Sequence, residues 1–406
     1  MKQFFKNLTF NKICSIAFIT LFAVILFLMA VGGRHRVITA LRNAEGKSIV
    51  EIKDDIDSTY NDGVYRKFDY INLCGLSARL MGMNELNGII KLNNGHLSDI
   101  PGVAEYDEKN AEKLYEFKTY LDNKGIDLLY MQVPMKGGEN SGLNPEGRDD
   151  SGEMLYASLA ASLEKYGINT LNMKQEIKES GADYNESFYV TDHHWTIRTA
   201  FFAYSRIIDF FNENFGTFID AKYTDLNNFD ITMYEKLFLG SHGKKVGAYF
   251  TERGMDDFEL ITPKEELDSE LVFDIISKNK VRKGNFKEAL IEESYLEYGA
   301  YFELNPYGAY LGGNYALAKI TNENAPCDKK ILMLTDSCGY PVISFMSLVF
   351  KEIEYVDLRY YRDSSFVDVL ESYDPDIMLF AYGMPRVLSN DAFEFFEKLE
   401  TEPKRE

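Results

Sequence analysis

The residues best suited to chemistry lie in the run Phe188-Tyr189-Val190-Thr191-Asp192-His193-His194-Trp195-Thr196. Asp192 stands two positions before His194, and residues i and i+2 of an extended segment point to the same side. A carboxylate beside an imidazole holds the ring in its working tautomer in hydrolases and acyltransferases. We therefore predict that His194 is a general base oriented by Asp192. His193 then points elsewhere, into the core or the substrate cleft, and a packed, hydrogen-bonded imidazole is its simplest role.

A nucleophile for this base is available at Ser337. Residues 331–335 form an apolar run typical of a buried strand, and Pro341 favours the start of a helix. Ser337 is then placed at a strand-to-helix turn, where main-chain N–H groups can stabilise a developing oxyanion. The alternative is that Ser337 only caps or turns the chain, but its combination with Asp192 and His194 favours a Ser-His-Asp triad.

Metal binding by Asp192, His193 and His194 is a rival interpretation of the same run. Adjacent histidines rarely converge on one ion without further ligands, and the sequence shows no such set. We therefore predict no metal and no cofactor.

Two further residues are candidates for substrate binding. Trp195, the only tryptophan of the chain, is either a wall of the site, including a platform for a sugar ring, or a core residue. Arg359 follows a predicted strand and either contacts substrate or forms a solvated salt bridge.

The elements that must position these residues alternate between helix and strand. Apolar residues recur at helical spacing over 112–124, Gly125 ends that helix, and a buried strand follows at 126–133. The same pattern gives a helix before Gly167 with a strand at 168–171, and Thr196 caps a helix with one apolar face.

The alternation resumes near the carboxyl end of the chain, with a helix from Pro341 through Phe350 and strands at 331–335, 353–358 and 376–382. We therefore predict a three-layer α/β/α fold with a mostly parallel central sheet assembled from both ends of the chain. Residues 215–315 are less regular and rich in Gly, Tyr and Phe, so we predict an insertion or cap around this interval.

The amino-terminal region predicts a membrane anchor. Residues 13–33 contain no charged side chain and are 21 in number, which corresponds to about 31 Å of helix. Lys2, Lys6 and Lys12 precede the run, as expected of a cytoplasmic flank. A cleavable signal peptide is the alternative, with Ala30-Val31-Gly32 as a processing site, but the run exceeds the usual apolar core of such peptides. We assign residues 1–36 to a cytoplasmic tip and transmembrane helix, 37–64 to a polar stalk, and 65–400 to the folded domain.

The charge of the domain excludes nucleic acid as a partner. Residues 1–36 hold five Lys or Arg and no Asp or Glu, which leaves 39 basic against 64 acidic residues beyond them. A net charge of −25 does not attract polyphosphate. The four cysteines form neither a disulfide framework nor a zinc spacing, although one bridge involving Cys327 is conceivable.

Several runs of the chain in combination resemble the DHHW proteins of Gram-positive bacteria. These runs are Asp192-His193-His194-Trp195 after Phe188-Tyr189, Phe258-Glu259-Leu260-Ile261-Thr262-Pro263-Lys264, Gly312-Gly313-Asn314-Tyr315, Thr335-Asp336-Ser337 and Asp357-Leu358-Arg359-Tyr360-Tyr361. The DHHW proteins are related to the alginate-type polysaccharide O-acetylation proteins, whose catalytic domain is SGNH-hydrolase-like. The resemblance covers roughly residues 65–395.

The resemblance implies roles for particular residues. Ser337 would be the nucleophile, His194 the general base and Asp192 its orienter, in an order permuted from ordinary SGNH hydrolases, where the serine comes first. Asn314 is a further candidate for a substrate or oxyanion donor. Cys338 and Gly339 depart from the relatives, which often have an aromatic and then a small residue after the nucleophile.

The function predicted from these observations is an O-acetyltransferase or acetylesterase for cell-envelope polysaccharide, with its domain outside the cell on a single-pass anchor. An acyl supply from the cytoplasm would require a polytopic membrane partner, as the resemblance implies. The alternative from another class is a catalytically inactive glycan-binding or assembly protein of a polysaccharide-modification complex. A metal-dependent hydrolase is a third hypothesis.

Overall fold

The computed structural model describes residues 66–100, 106–136, 143–147, 152–362 and 365–383, with residues 12, 14–24, 27, 38 and 42 nearer the amino terminus. The chain divides into two units, Met1–Cys74 and Gly75–Glu406. The central sheet and the candidate site lie within the second unit.

The predicted anchor and stalk fall largely outside the described residues. Residues 14–24 are helical and their side chains are exposed, Phe18 and Ile19 among them. No helix in the described part of the chain combines the length and apolar character needed to cross a membrane. The predicted stalk, 37–64, is described only at Ile38 and Arg42, and the first helix of the folded part begins at Lys67.

From Lys67 onward, the described residues form nine α-helices and thirteen β-strands. The helices are α1 (Lys67–Leu80), α2 (Lys109–Lys124), α3 (Gly152–Lys165), α4 (Met173–Glu179), α5 (Ile197–Asn214), α6 (Ser241–Val246), α7 (Phe286–Leu290), α8 (Tyr340–Met346) and α9 (Phe366–Tyr373). The strands are β1 (Glu85–Leu86), β2 (Ile89–Lys91), β3 (Leu97–Asp99), β4 (Asp127–Gln132), β5 (Thr170–Asn172), β6 (Phe229–Phe238), β7 (Asp256–Pro263), β8 (Leu271–Ile275), β9 (Lys280–Gly284), β10 (Leu317–Thr321), β11 (Cys327–Thr335), β12 (Phe350–Val356) and β13 (Ile377–Ala381).

The central sheet has eight strands in the order β5-β4-β13-β11-β12-β10-β8-β9. The first five of these run parallel, and β10, β8 and β9 add antiparallel pairs at one side. The sheet is therefore mostly parallel and draws strands from both ends of the chain, as predicted. The carboxyl ends of β11 and β13 lie side by side, which is where a parallel sheet presents its loops for binding and catalysis.

Two apolar cores cover the two faces of this sheet. Along β4, Leu129 and Met131 belong to one core, and Leu128 and Tyr130 to the other, because successive side chains of a strand alternate between faces. Helices α4, α5, α7 and α8 contribute to the first core, and α2, α3 and α9 to the second. The predicted three-layer α/β/α architecture is confirmed.

Local signals explain most element boundaries. Gly125 ends α2 with a φ of 73°, a conformation that glycine adopts without steric cost. The helix predicted from Pro341 through Phe350 is shorter than expected, because α8 ends at Met346 and β12 already begins at Phe350. Tight i to i−3 bonds at Leu348 and Val349 close this short connection.

The interval predicted to be an irregular insertion, 215–315, is more regular than the sequence indicates. It contains the hairpin β6–β7 and the strands β8 and β9, and β8 and β9 extend the central sheet. Buried and half-buried residues alternate along β8, but Val272 is apolar at a half-buried position, so this alternation is weak in the sequence itself. The conceivable disulfide is absent, since all four cysteines are described and free.

Candidate active site

Ser337 lies on a tight turn between β11 and α8. The Asp336 side chain caps this turn by accepting a hydrogen bond from the Cys338 N–H at 2.9 Å, and its second oxygen accepts from Gly383 N–H at 2.8 Å. Thr335 Oγ1 donates to the Ala381 carbonyl at 2.8 Å, which ties the turn to β13. These bonds hold the half-buried Ser337 at the edge of the sheet, as the strand-turn-helix pattern predicts.

His194 reaches the same edge from a compact loop before α5. Phe188 and Trp195 pair as an isolated antiparallel bridge, so the loop between them is closed on itself. Tyr189 N–H donates to the His194 carbonyl at 3.2 Å, and Thr196 caps α5 by accepting from Thr199 N–H at 3.2 Å. The loop and the helix together fix the direction of the His194 ring.

The three predicted triad residues form a continuous hydrogen-bonded series. Ser337 Oγ lies 2.8 Å from His194 Nε2, and His194 Nδ1 lies 2.5 Å from Asp192 Oδ1. With the Nδ1–H tautomer, the imidazole donates to Asp192 and accepts from the Ser337 hydroxyl, the arrangement of a base ready to take a proton. His194 and Asp192 are 3 % and 2 % exposed, so this series is shielded from water on its inner side.

Asp192 is held as a carboxylate. Burial alone would raise the pKa of this carboxyl, but His194, His193 and the Ser241 main-chain N–H lower it well below its ordinary value. Ser241 N–H donates to Asp192 Oδ2 at 2.5 Å, and the His194 main-chain N–H donates to Oδ1 at 3.0 Å. A buried charge with this many donors can stabilise an imidazolium that forms on His194.

A second layer of polar contacts holds the backbone of the Asp192 loop. Asp256 accepts from Val190 N–H at 2.6 Å and from Thr191 N–H at 2.8 Å. Lys136 Nζ donates to the carbonyls of Tyr189 at 2.6 Å, Val190 at 2.8 Å and Asp192 at 2.8 Å. Asp256 thus accepts hydrogen bonds from the N–H groups of the loop, and Lys136 donates to its carbonyls.

Two rings enclose the His194 imidazole. The Tyr307 ring is nearly parallel to it at a centroid distance of 3.9 Å, and the His193 ring lies 3.8 Å away at 36°. Two rings at such distances would collide on one face of an imidazole, so they cover opposite faces. Tyr307 is buried, whereas the His193 side chain is 48 % exposed and forms the outer cover.

Trp195 is a core residue and not a wall of the site. It is 1 % exposed, and its indole N–H lies 3.0 Å from Tyr307 Oη and 3.1 Å from the Cys338 carbonyl. Of the two roles that the sequence leaves open for Trp195, the structure supports the core residue and contradicts substrate binding, because its ring has no free face. Its contacts instead connect the histidine loop to the turn that carries Ser337.

Arg359 and Asn314 lie on neighbouring loops but are occupied by other partners. Arg359 forms a forked ion pair with the fully buried Asp357, with Nη2 2.7 Å from Oδ2 and Nε 3.0 Å from Oδ1. Arg359 is also close enough to the turn that carries Ser337 for its charge to act on Asp336 and Cys338. Asn314 Nδ2 donates to Tyr360 Oη at 3.0 Å. The salt bridge that the sequence left open as a role for Arg359 is present, though with a buried carboxylate.

The geometry also limits which main-chain donors can stabilise an oxyanion. The N–H of Cys338 is taken by the Asp336 side chain and that of Gly339 by the Asp336 carbonyl at 3.1 Å. Within the described residues, the Ser337 main-chain N–H has no hydrogen-bond partner. This N–H is the donor that the turn leaves for an oxyanion beside the Ser337 hydroxyl.

Asp192, His193 and His194 are the one group of three metal-ligand side chains that converge within the described part of the chain, with candidate atoms within 4.8 Å. Their donors are already engaged, however. Both nitrogens of His194 bond Ser337 and Asp192, and both Asp192 oxygens accept N–H groups. The donor set therefore suits a proton relay better than a cation.

Sequence reasoning missed Lys136, Asp256, Ser241 and Tyr307. The signal for Ser241 was the run Leu239-Gly240-Ser241-His242-Gly243, in which small residues permit close approach to another segment. A Cβ on Gly240 would lie 2.2 Å from Asp192 Cβ, so any larger residue at this position would clash with Asp192. Lys136 and Asp256 carried no motif, since their contacts are to main-chain atoms of a distant loop.

A family model for the SGNH hydrolase-like domain of the acetyltransferase AlgX matches residues 98–226, which include Asp192, His193 and His194. No curated protein shows a significant match to the chain.

Solved structures share the fold at low sequence identity. Bacillus cereus PatB1 is 18 % identical, with a TM-score of 0.62 over 76 % of this chain and 99 % of PatB1. PatB1 with a sulfonyl adduct gives a TM-score of 0.61 at 17 % identity, over the same 76 % and 99 %. A DHHW family protein from Eubacterium siraeum is 20 % identical, with a TM-score of 0.53 over 77 % of this chain and 96 % of that protein. The resemblance predicted from the sequence is confirmed, and the fold is SGNH-like.

Proposed function

We propose that this chain, whose residues 98–226 match an SGNH hydrolase-like acetyltransferase domain, is an O-acetyltransferase or acetylesterase that acts on cell-envelope polysaccharide through an acyl-enzyme. The observation that carries the proposal is the series from Ser337 Oγ through His194 to Asp192, at 2.8 and 2.5 Å. Such a series is the arrangement that nucleophilic serine catalysis requires.

The first half of the reaction loads the acetyl group onto the enzyme. His194 Nε2 takes the proton of Ser337 as Oγ attacks the carbonyl carbon of an acetyl ester, and the Ser337 main-chain N–H donates to the oxyanion. Collapse of the tetrahedral intermediate breaks the bond to the leaving oxygen, which receives the proton from His194. Asp192 keeps the Nδ1–H tautomer and stabilises the imidazolium.

The second half transfers or releases the acetyl group. An acceptor hydroxyl gives its proton to His194 while its oxygen attacks the acyl carbon, and the Ser337 Oγ–carbon bond then breaks as Oγ regains a proton. A polysaccharide hydroxyl as acceptor makes the enzyme a transferase, and water makes it an esterase.

The cellular setting belongs to the same proposal. We assign residues 13–33 to an uncleaved anchor that holds the domain on the outer side of the cell membrane, as a single-pass protein. An acetyl group supplied from the cytoplasm would then need a polytopic membrane protein as partner. Protease protection of the intact, membrane-bound chain tests this topology, because an outward domain is digested without permeabilisation.

Hydrolysis of 4-nitrophenyl acetate by purified protein tests the chemistry. We expect turnover in the wild type, loss of at least 10³-fold in Ser337→Ala and in His194→Gln, and unchanged turnover in Ser372→Ala. Ser372 is a suitable control because its hydroxyl only bonds the Val369 carbonyl of its own helix. Equal turnover in wild type and Ser337→Ala would refute the triad, and loss on chelation would favour the metal-dependent alternative. No turnover by a well-folded wild type would favour the glycan-binding alternative.

A further inference from the structure

His193 differs from its neighbours in the Asp192-His193-His194-Trp195 run by its exposure. Its side chain is 48 % exposed, whereas Asp192, His194 and Trp195 are each 3 % exposed or less. The triad does not use His193, and the packed role expected from the sequence does not explain an open imidazole at the edge of the site.

The position of His193 follows from its contact with His194. Its ring lies 3.8 Å from the His194 ring on the face opposite Tyr307, so it covers the solvent side of the general base. His193 is therefore a solvent-accessible group in direct contact with the general base.

Ser241 fixes this ring and the triad carboxylate together. Its hydroxyl lies 2.8 Å from His193 Nδ1, and its main-chain N–H donates to Asp192 Oδ2. Among the described residues, His193 Nε2 has no hydrogen-bond partner. One nitrogen of this half-exposed imidazole is thus engaged by Ser241, and the other is available to a ligand.

We propose that His193 is an acceptor-binding residue, whose Nε2 hydrogen-bonds the hydroxyl that receives the acyl group and so favours transfer over hydrolysis. The inference rests on the proposed function. Desolvation and the adjacent His194 lower the pKa of His193 to about 3, so the ring is neutral at pH 7 and can accept or donate one hydrogen bond at Nε2.

The transfer step needs no proton change at His193. The acceptor oxygen accepts a hydrogen bond from His193 Nε2–H, in the tautomer whose Nδ1 accepts from the Ser241 hydroxyl. Its own proton is then free to pass to His194 Nε2 as the oxygen attacks the acyl carbon on Ser337. The Ser337 Oγ–carbon bond breaks, and His194 returns the proton to Oγ. Water, which is smaller and lacks a second anchoring point, gains less from a positioned hydrogen bond than a polyol does.

The test measures how the acyl-enzyme partitions between two acceptors. Full-length protein is supplied with 4-nitrophenyl acetate in glycerol–water mixtures, and glyceryl acetate and free acetate are quantified. We expect the wild type to favour glycerol beyond its molar fraction. His193→Ala and His193→Phe should each lower the transfer-to-hydrolysis ratio roughly fivefold, which corresponds to the loss of one hydrogen bond. His193→Gln should restore part of the ratio, and Ser241→Ala should lower it roughly twofold.

The variants separate an acceptor contact from a structural one. Phe keeps a ring against His194 but has no hydrogen-bonding atom, so a wild-type ratio in His193→Phe would overturn the proposal. A wild type that favours glycerol no more than its molar fraction would overturn it as well. Turnover that is unaffected by Ser337→Ala would instead overturn the proposed function. If turnover depends on Ser337 but the transfer-to-hydrolysis ratio is the same in the wild type and all His193 variants, the His193 inference alone is overturned.

Discussion

Ser241 N–H donates to Asp192 Oδ2 at 2.5 Å, although the two residues are 49 positions apart. This bond joins the start of α6 to the loop that carries the proposed general base. It satisfies the carboxylate oxygen that does not face His194, and it depends on the close approach of Gly240 to Asp192. The triad is therefore supported by a segment that carries no catalytic group itself.

Gly240→Ala is expected to damage the site through space alone. The added Cβ would lie 2.2 Å from Asp192 Cβ and 2.6 Å from its Cα, so the loop must move. Overpacking of this kind costs about 1–3 kcal/mol, and a shift of Asp192 should lower esterase turnover at least tenfold. Chemical denaturation and 4-nitrophenyl acetate hydrolysis measure the two effects. Gly308→Ala is the control, since its nearest side-chain neighbour, the Tyr295 ring, lies at an ordinary 3.5 Å.

Asp192→Asn is expected to preserve the shape of the site and remove most of its activity. The amide can still contact His194, but it favours the wrong tautomer and cannot stabilise an imidazolium, which costs about 10³–10⁴-fold in kcat in a triad. Steady-state kinetics should show the loss in kcat with little change in KM. Asp209→Asn, which removes a surface ion pair with Arg206, should retain full turnover. A variant within tenfold of wild type would mean that Asp192 does not orient the base.

Lys136 is expected to make the folded protein more stable as pH rises above neutrality. Burial lowers the pKa of its ammonium to about 7, against the opposing pull of Asp256 and Asp192. The unfolded chain keeps this proton to about pH 10.4, so it binds more protons than the folded chain between about pH 7 and 10. The free energy of unfolding therefore gains a contribution from Lys136 as pH rises through this window, and Lys136→Met lacks it.

The measurement is urea unfolding of wild type and Lys136→Met at several pH values from 6 to 10. The free energy of unfolding of the wild type, minus that of Lys136→Met, should become more positive as pH rises from about 7 to 10. A difference that does not change with pH would contradict the low pKa of Lys136. Lys136→Met should also lower esterase turnover, because the carbonyls of Tyr189, Val190 and Asp192 lose their donor. Lys351→Met, at a surface ion pair with Glu323, is the control.

Local signals allowed much of this structure to be predicted from the sequence. The spacing of Asp192 and His194 and the strand before Ser337 identified three residues that the fold brings into contact across 143 positions. Short continuous runs of apolar residues identified β4, β11 and β13, because the strands of a parallel sheet are buried on both faces.

The residues that support the site could not be predicted in the same way. Lys136 and Asp256 bind main-chain atoms, whose positions depend on tertiary structure and leave no side-chain pattern. Tyr307 was one of 27 tyrosines, and its stacking on His194 depends on how the segment after β9 folds back. The sequence could not decide between a sugar platform and a core role for Trp195, because that choice depends on its indole contacts with Tyr307 and Cys338 inside the core.

Covalent labelling by an arylsulfonyl fluoride tests the central claim, that Ser337 is a nucleophile activated by His194, most directly. Intact-mass measurement of the wild type should show one sulfonyl adduct, and peptide mapping should place it on Ser337. Labelling should be absent in Ser337→Ala, at least 10²-fold slower in His194→Gln, and unchanged in Ser372→Ala. An adduct on another residue, or equal labelling rates in wild type and His194→Gln, would contradict the claim.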